Sequence, residues 1–146
     1  MSERKIVRVG QVMKTNFDTV NRMATVRDAL IRMRHVDTKC LIVDKRDEDD
    51  EFGVLLISDI SRHVLALGRS PERVNVYEIM AKPIITVEPN MDIRHCARLF
   101  SRFDLSRTPV VEEGRVIGIV SFTDLVIKGF VELEYIPAED EVEGEI

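Results

Sequence analysis

The 146-residue chain has no tryptophan and only two tyrosines, and no part of it is a basic patch. Nucleic acids bind grooves that combine positive charge with aromatic stacking platforms, so this composition argues against DNA or RNA as a partner. No apolar run reaches the length of a membrane span, and no charged-then-apolar signal segment stands at the N-terminus. We therefore expect no membrane association and a cytoplasmic location.

Cysteine is also scarce, and the two that occur, Cys40 and Cys96, lie in separate apolar stretches. A metal site would need more ligands at tighter spacing, so we expect two buried thiols outside any disulfide and no metal. No nucleophile stands beside His and an acid in a recognisable motif, and neither a P-loop nor a Gly-rich dinucleotide fingerprint occurs. The sequence thus predicts a protein that is not an enzyme and carries no cofactor.

The net charge of −5 is concentrated near the C-terminal end. Seven acidic and no basic residues lie from Glu132 onward, and removing them from the 26 acidic residues leaves 19 against 21 basic ones. We interpret 132–146 as a solvated acidic tail. The charged segment 44–51 reads as a hairpin loop. Binding of a divalent cation by its acidic stretch Asp47–Glu51 stays an alternative, although the spacing of a calcium loop is missing.

The chain contains the same unit twice. A shift of 67 residues aligns Val12-Met13 with Ile79-Met80, and a shift of 65 aligns Gly53-Val54-Leu55 with Gly118-Ile119-Val120. Neither copy is large enough to bury a comfortable core alone, so we expect the two to pack together and to leave ligand-sized clefts. The predicted organisation is repeat 1 at 6–68, a linker at 69–75, repeat 2 at 76–131 and the acidic tail at 132–146.

Each copy reads in the order strand, helix, strand, strand, helix, which predicts an α/β fold of the α+β kind built from two βαββα units. In the first copy we predict strands at Thr19-Val20, Cys40–Val43 and Val54–Ile57, and helices opened by Thr25 and Ser58. In the second we predict strands at Ile84–Val87, Pro109–Val111 and Val116–Val120, and helices opened by Asp92 and Thr123.

Three signatures recur in order and spacing. V-x-x-I/V-M opens each copy at Val9–Met13 and Val76–Met80, Pro109-Val110-Val111 precedes a Gly turn, and G-I-V-S-F-T-D fills 118–124. In these the chain resembles the cystathionine-β-synthase-type domain pair, called a CBS pair or Bateman module. The resemblance implies two repeats related by pseudo-two-fold symmetry, an adenine nucleotide such as AMP, ADP or ATP as ligand, and frequent homodimers. An effector protein, which the sequence does not name, would read the bound state.

The second copy offers a site where its last strand runs into a helix. Unpaired N–H groups at the helix start suit phosphate, the hydroxyls of Ser121 and Thr123 can donate to it, and the carboxylate of Asp124 suits ribose hydroxyls. Helix capping by these same residues is the alternative reading. The resemblance favours ligand contact, with Asp124 on the ribose and Ser121 near ribose or phosphate. It adds adenine contacts from Ile84, Ile85, Thr86, Pro109 and Val110.

Two arginines could neutralise phosphate: Arg107 beside the second-copy site, and Arg62 in the last helix of the first copy. A solvated helix face is the alternative for Arg62. The first copy retains Asp59 at the position of Asp124, but Leu56 replaces Ser121. Leu41 or Ile42 replaces Pro109. The sequence therefore predicts one good site and one degraded or empty one.

Two functions remain open. One is a regulatory module that senses an adenine nucleotide, and the other is a structural, dimerising or protein-docking module without a ligand. For the dimer, we expect an interface from the apolar faces of the last helix of each copy: Ile60, Val64, Leu67, Leu125, Val126 and Phe130.

Overall fold

The computed structural model describes residues 5–136, which fall into two compact units. The first-repeat unit is Asn16–Ile84, and the second-repeat unit combines Met1–Thr15 with Ile85–Ile146. The opening segment of each repeat therefore lies in the unit built mainly from the other repeat. The predicted fold class is confirmed, since each unit is a small β-sheet with helices. The predicted tail lies largely outside the described residues.

The first-repeat unit has a three-stranded sheet in the order β1-β2-β3, with β1 parallel and β3 antiparallel to β2. Its strands are β1 Asp18–Val20, β2 Cys40–Val43 and β3 Gly53–Leu56. Its helices are α2 Val26–Arg32, α3 Ile57–Ile60 continuing as a π-helical turn Ser61–Leu65, and α4 Val76–Ile79, with short 3-10 turns at Val36–Thr38 and Pro71–Arg73.

The second-repeat unit has a two-stranded antiparallel sheet, β4 Arg107–Glu112 with β5 Arg115–Ser121. Its helices are α1 Val9–Val12, α5 Ile93–Phe103 and a C-terminal π-helix Asp124–Glu132. The turn between β4 and β5 places Glu113 and Gly114 at φ of 51° and 78°. This confirms the predicted hairpin, because a two-residue turn of this type needs positive φ at both positions.

Each unit has its own apolar core, and the exchanged opening segments contribute to both. Val9 and Val12 of α1 are fully buried among second-repeat residues such as Phe100 and Val110. Val76 of α4 is buried in the same way in the first-repeat core. Burial of these valines in the other repeat's core stabilises the exchange, because apolar surface leaves water on both sides of the contact.

Most local predictions are confirmed. The Thr25 hydroxyl caps α2 by accepting from the Asp28 N–H at 3.1 Å, and the Asp92 carboxylate caps α5 by accepting from the Arg94 N–H at 2.8 Å. Cys40 and Cys96 are buried thiols, and burial raises the pKa of Cys96 to about 12. The Ser58 cap is wrong: α3 begins at Ile57 with Leu56 as its N-cap, so Ser58 lies inside the first turn.

The predicted strand Ile84–Val87 does not form, and only Val87 makes a parallel bridge to Val110. The reason is Pro109, whose missing N–H cannot donate to the Ile85 carbonyl at the next step of the ladder. The Thr108 hydroxyl donates to that carbonyl instead, at 2.7 Å. In the first repeat the sheet register places Ile42 where Pro109 stands, and β1 there pairs over three residues.

The predicted dimer face is half wrong. Ile60, Val64 and Leu125 are at most 9 % exposed and belong to the unit cores. Leu67, Val126 and Phe130 do lie at the surface, at 65 %, 48 % and 59 % exposure.

Candidate functional site

The junction of β5 and the C-terminal helix is a capping box. The Asp124 N–H donates to the Ser121 hydroxyl oxygen at 3.2 Å, and the Asp124 carboxylate accepts from the Ser121 N–H at 3.1 Å. The Ser121 hydroxyl also donates to the same carboxylate oxygen, Oδ2, at 3.0 Å. This reciprocal pattern satisfies two backbone donors at the helix start. Ser121 and Asp124, both predicted as ligand contacts, thus hold each other.

The predicted capping role of Thr123 is wrong. Thr123 already has helical dihedrals, φ −61° and ψ −44°, and its side chain makes no cap hydrogen bond. Because Ser121 is the cap, Thr123 falls inside the first turn, where its side chain is exposed. Its hydroxyl is therefore accessible to a ligand but does not organise the helix start.

Two lysines face the other carboxylate oxygen of Asp124. Lys14 Nζ donates to Oδ1 at 2.6 Å, and Lys128 Nζ lies 3.5 Å from the same atom. Lys128 also donates to the Val12 carbonyl at 3.0 Å. The Asp124 side chain is only 4 % exposed, whereas Lys14 and Lys128 are 23 % and 30 % exposed. The result is a buried carboxylate compensated by two lysines whose side chains are partly exposed.

The ionisation of Asp124 follows from this balance. Burial by itself raises the pKa of the carboxyl group, but the hydrogen bond from Lys14 and those from Ser121 outweigh burial and hold the pKa below its ordinary value. The carboxylate is consequently ionised at neutral pH, and acceptor-only. It can accept hydrogen bonds from ligand hydroxyls at any position that one of its present donors leaves.

Lys14 reaches this site because its backbone is pinned to β5. Its N–H donates to the Ile119 carbonyl at 2.8 Å, and its carbonyl accepts from the Ile119 N–H at 2.9 Å. Gly118 makes this approach feasible: a Cβ there would stand 2.8 Å from the Lys14 carbonyl oxygen and 2.7 Å from Met13 Sδ. The glycine of the G-I-V-S-F-T-D segment thus admits the opening segment that carries Lys14.

The other predicted contacts of the second copy differ in how far they are buried. Pro109 and Val110 are buried in β4, and Ile85 is half-buried with its carbonyl bonded by Thr108. Thr86 is exposed. Arg107 is half-buried and pairs in sheet register with Ser121, and its Nε donates to the Ser106 hydroxyl oxygen at 3.3 Å.

Two predicted contacts belong to the first-repeat unit. Ile84 ends that unit and is 65 % exposed. Arg62 is 68 % exposed, and its guanidinium lies 3.5 Å from an Asp59 carboxylate oxygen. This exposed pair fits the alternative of a solvated helix face for Arg62.

The counterpart junction in the first repeat lacks these features. Leu56 is the N-cap and supplies no side-chain hydrogen bond, so no capping box forms around Asp59. Ala81 pairs with Val54 as Lys14 pairs with Ile119, and it therefore stands where a lysine would be needed. Asp59 is 19 % exposed and has the surface ion pair with Arg62. The predicted asymmetry between the repeats thus extends to a residue that the sequence comparison left out.

Sequence reasoning missed both lysines of this cluster. Lys128 stands four residues after Asp124, a spacing that places the two side chains on one face of a helix. Lys14 is the more distant of the two in sequence. It lies 110 positions before Asp124 in the chain. The available signal was the internal alignment itself, which pairs Met13 with Met80 and so Lys14 with Ala81. A lysine in one copy against an alanine in the other marked the position as different, but only the exchange of opening segments connects it to Asp124.

The charged loop 44–51 is organised around Asp50, whose carboxylate accepts from the Arg46 N–H at 2.9 Å and from Lys82 Nζ at 3.0 Å. The hydrogen bond from the Arg46 backbone, followed by that from Lys82, lowers the pKa of Asp50 strongly. Among residues 5–136, no three His, Cys, Asp or Glu side chains are grouped as metal ligands. Within the same range, no helix combines the length and the apolar character needed to cross a bilayer.

Comparison with known proteins identifies relatives of both repeats. A family model for the CBS domain matches residues 9–66 and 76–128. The chain is 30 % identical over 122 residues to an uncharacterized protein of Methanopyrus kandleri, covering 82 % of this chain and 61 % of that protein. It is 26 % identical over 119 residues to the CBS domain-containing protein YhcV of Bacillus subtilis, covering 82 % and 83 %.

Among solved structures, the hexameric CBS-CP12 protein from bloom-forming cyanobacteria is 36 % identical with a TM-score of 0.82, covering 96 % of this chain and 83 % of that one. A CBS domain protein of unknown function from Thermoplasma acidophilum is 34 % identical with a TM-score of 0.69, covering 83 % and 68 %. The chain spans 61 % of the Methanopyrus relative and 55 % of an uncharacterized Methanocaldococcus jannaschii relative.

Proposed function

Because the chain belongs to the CBS domain family, whose members are generally regulatory ligand-binding modules, we propose that it senses an adenine nucleotide at the Ser121–Asp124 junction. The observation that carries the proposal is the Asp124 carboxylate, 4 % exposed and held at a helix start beside the Lys14 ammonium. An acceptor for ribose hydroxyls and a cation for phosphate lie there within one hydrogen bond of each other. No catalytic step is part of the proposal.

The nucleotide would lie across the predicted contacts of the second repeat. The backbone of Ile85 and Thr86 would meet the adenine edge, and Pro109 would pack against the ring. Val110 is fully buried in the core of the unit and would have no surface for the ring. Asp124 would accept from the ribose. The phosphate would receive hydrogen bonds from Lys14, from the exposed Thr123 hydroxyl and from Arg107, which neighbours Ser121 across the sheet. Binding would stabilise one conformation or dimer arrangement, which a cytoplasmic effector protein would detect.

A thermal-shift scan with AMP, ADP, ATP, S-adenosylmethionine and NAD tests the proposal. A ligand at 100 times its dissociation constant adds about 2.7 kcal/mol to the free energy of unfolding, which raises the melting temperature by about 5–10 °C in a domain of this size. Inosine monophosphate serves as the control for the adenine base. The absence of a shift with every adenine-bearing ligand at millimolar concentration would contradict nucleotide sensing.

A ligand-free structural or docking module is the second candidate, and one observation favours it. Ser121 and Asp124 already satisfy each other as a capping box, and Lys14 neutralises the carboxylate, so the cluster has a stabilising role without any ligand. A flat thermal-shift scan together with a stable oligomer would decide for this candidate.

We further propose that the chain forms a homodimer through the exposed apolar side of the C-terminal helix. Four large apolar side chains there are between 48 % and 69 % exposed, Val126, Ile127, Phe130 and Val131, and Phe122 just before Asp124 is 52 % exposed. Apolar surface of this extent on one helix is typical of an interface. Light scattering at tens of micromolar protein should give twice the 16.7 kDa of one chain. A 16.7 kDa particle would contradict the dimer, and a Val126→Glu variant should be monomeric.

A further inference from the structure

We propose that Lys14 sets the preference of the Asp124 site for phosphorylated ligands. In this view the ribose displaces the Lys14 ammonium from Asp124, and the ammonium then takes the phosphate of the same ligand as its new partner. The inference rests on the proposed nucleotide function and names the residue that makes the site select a nucleotide over a nucleoside.

The displacement follows from counting the acceptor positions of the Asp124 carboxylate. A carboxylate offers about four lone-pair positions. Ser121 fills both positions of Oδ2, through its N–H at 3.1 Å and its hydroxyl at 3.0 Å. On Oδ1, Lys14 fills one position at 2.6 Å, and Lys128 faces the other at 3.5 Å. One ribose hydroxyl could replace the distant Lys128, but a second can be accepted only where Lys14 now donates.

Lys14 is the donor that can leave with least disturbance of the fold. The two Ser121 bonds are part of the capping box that starts the C-terminal helix. The backbone of Lys14 stays fixed by its two hydrogen bonds to Ile119, so only the flexible four-carbon side chain needs to turn. The side chain is 23 % exposed, so it is only partly enclosed by the protein.

The consequence is a difference between ligands with and without phosphate. Within residues 5–136, the Lys14 ammonium has Asp124 as its one hydrogen-bond partner. A nucleoside that takes the carboxylate leaves this ammonium without a partner in a partly buried position, which opposes binding. A nucleotide replaces the lost carboxylate by a phosphate oxygen, and charge-assisted bonds to phosphate are among the strong ones.

The test compares AMP with adenosine by calorimetry on the full chain. The wild-type chain should bind AMP more tightly than adenosine. In Lys14→Met, which keeps the length of the side chain and removes its charge, that preference should fall by about tenfold or more, the loss of one charge-assisted hydrogen bond. AMP should bind more weakly, and adenosine should bind at least as well as it binds to the wild type. The matched control is Lys45→Met, which makes the same change at an exposed position of the first-repeat unit and should keep the wild-type preference.

Lys14→Met leaves a buried carboxylate with less compensation, so a double variant, Lys14→Met with Asp124→Asn, accompanies it. This variant carries neither charge, and it should also have lost the preference for AMP, whatever its absolute affinity. An unchanged ratio of the two dissociation constants in Lys14→Met or in the double variant overturns the inference while nucleotide binding stands. Failure of the wild-type chain to bind AMP, ADP, ATP and adenosine alike overturns the proposed function and this inference with it.

Discussion

Replacing Asp124 by Ala is expected to lower the free energy of unfolding by about 2–4 kcal/mol, whereas Asp59→Ala should cost only about 0.5–1 kcal/mol. The two residues occupy equivalent helix starts, so the difference comes from their surroundings. Asp124→Ala removes half of a capping box and the hydrogen-bond partner of Lys14. Loss of a cap costs about 0.5–2 kcal/mol, and a hydrogen bond to a charged group contributes about 1.5–3 kcal/mol.

The upper end of that sum is not expected, because the lysines can be rehydrated. Lys14 and Lys128 are 23 % and 30 % exposed, so water can take over part of the role of the lost carboxylate. The loss of stability in Asp59→Ala should be smaller. Its partner Arg62 is 68 % exposed at 3.5 Å, and exposed pairs of this kind contribute between about 0 and 1 kcal/mol.

Urea unfolding of the two variants and the wild type at pH 7 measures the difference. Asp124→Asn is the matched control, since its amide oxygen can still accept from Ser121 while the charge opposite Lys14 is gone. It should fall between the wild type and Asp124→Ala. Equal losses for Asp59→Ala and Asp124→Ala would show that neither the capping box nor the Lys14 contact contributes to stability.

The sequence predicted elements well where the deciding interactions are local. Cys40–Val43 reads as a buried strand from its own composition, and the caps Thr25 and Asp92 bond N–H groups two or three residues ahead. The last helix shows the limit of this reasoning. In the segment S-F-T-D, the hydroxyl of either Ser121 or Thr123 could cap the helix. Ser121 is the cap because the pairing of β4 with β5 extends to Ser121 and ends there.

The cluster around Asp124 was only partly predictable, because half of it depends on tertiary structure. Ser121 and Asp124 could be located from the G-I-V-S-F-T-D pattern, whereas Lys14 arrives through an exchange of opening segments that no local pattern encodes. The strand at Ile84–Val87 failed for a related reason. The strand with which it would pair contains Pro109, which has no backbone N–H. The absent N–H disrupts pairing of the segment Ile84–Val87 rather than the strand in which Pro109 itself lies.

Calorimetric titration with the nucleotide that gives the largest thermal shift should saturate near one ligand per chain. Of the two helix-start junctions, both of which lie within residues 5–136, the second-repeat one alone combines the capping hydroxyl of Ser121, the carboxylate of Asp124 and the ammonium of Lys14. In the first repeat, Leu56 supplies no hydrogen bond at the helix start, and Ala81 stands in the place of the lysine. Phosphate leaves water only where donors replace its hydration, and an apolar side chain there opposes binding.

Two isosteric variants, titrated with the same nucleotide, show which junction binds it. Asp124→Asn should weaken nucleotide binding by about tenfold or more, since the acceptor of the ribose hydroxyls loses its charge. Asp59→Asn makes the same chemical change at the first-repeat junction and should leave both affinity and stoichiometry as in the wild type. Saturation at two equivalent ligands per chain, or a loss of affinity in Asp59→Asn as large as that in Asp124→Asn, would place the binding site in the first repeat as well.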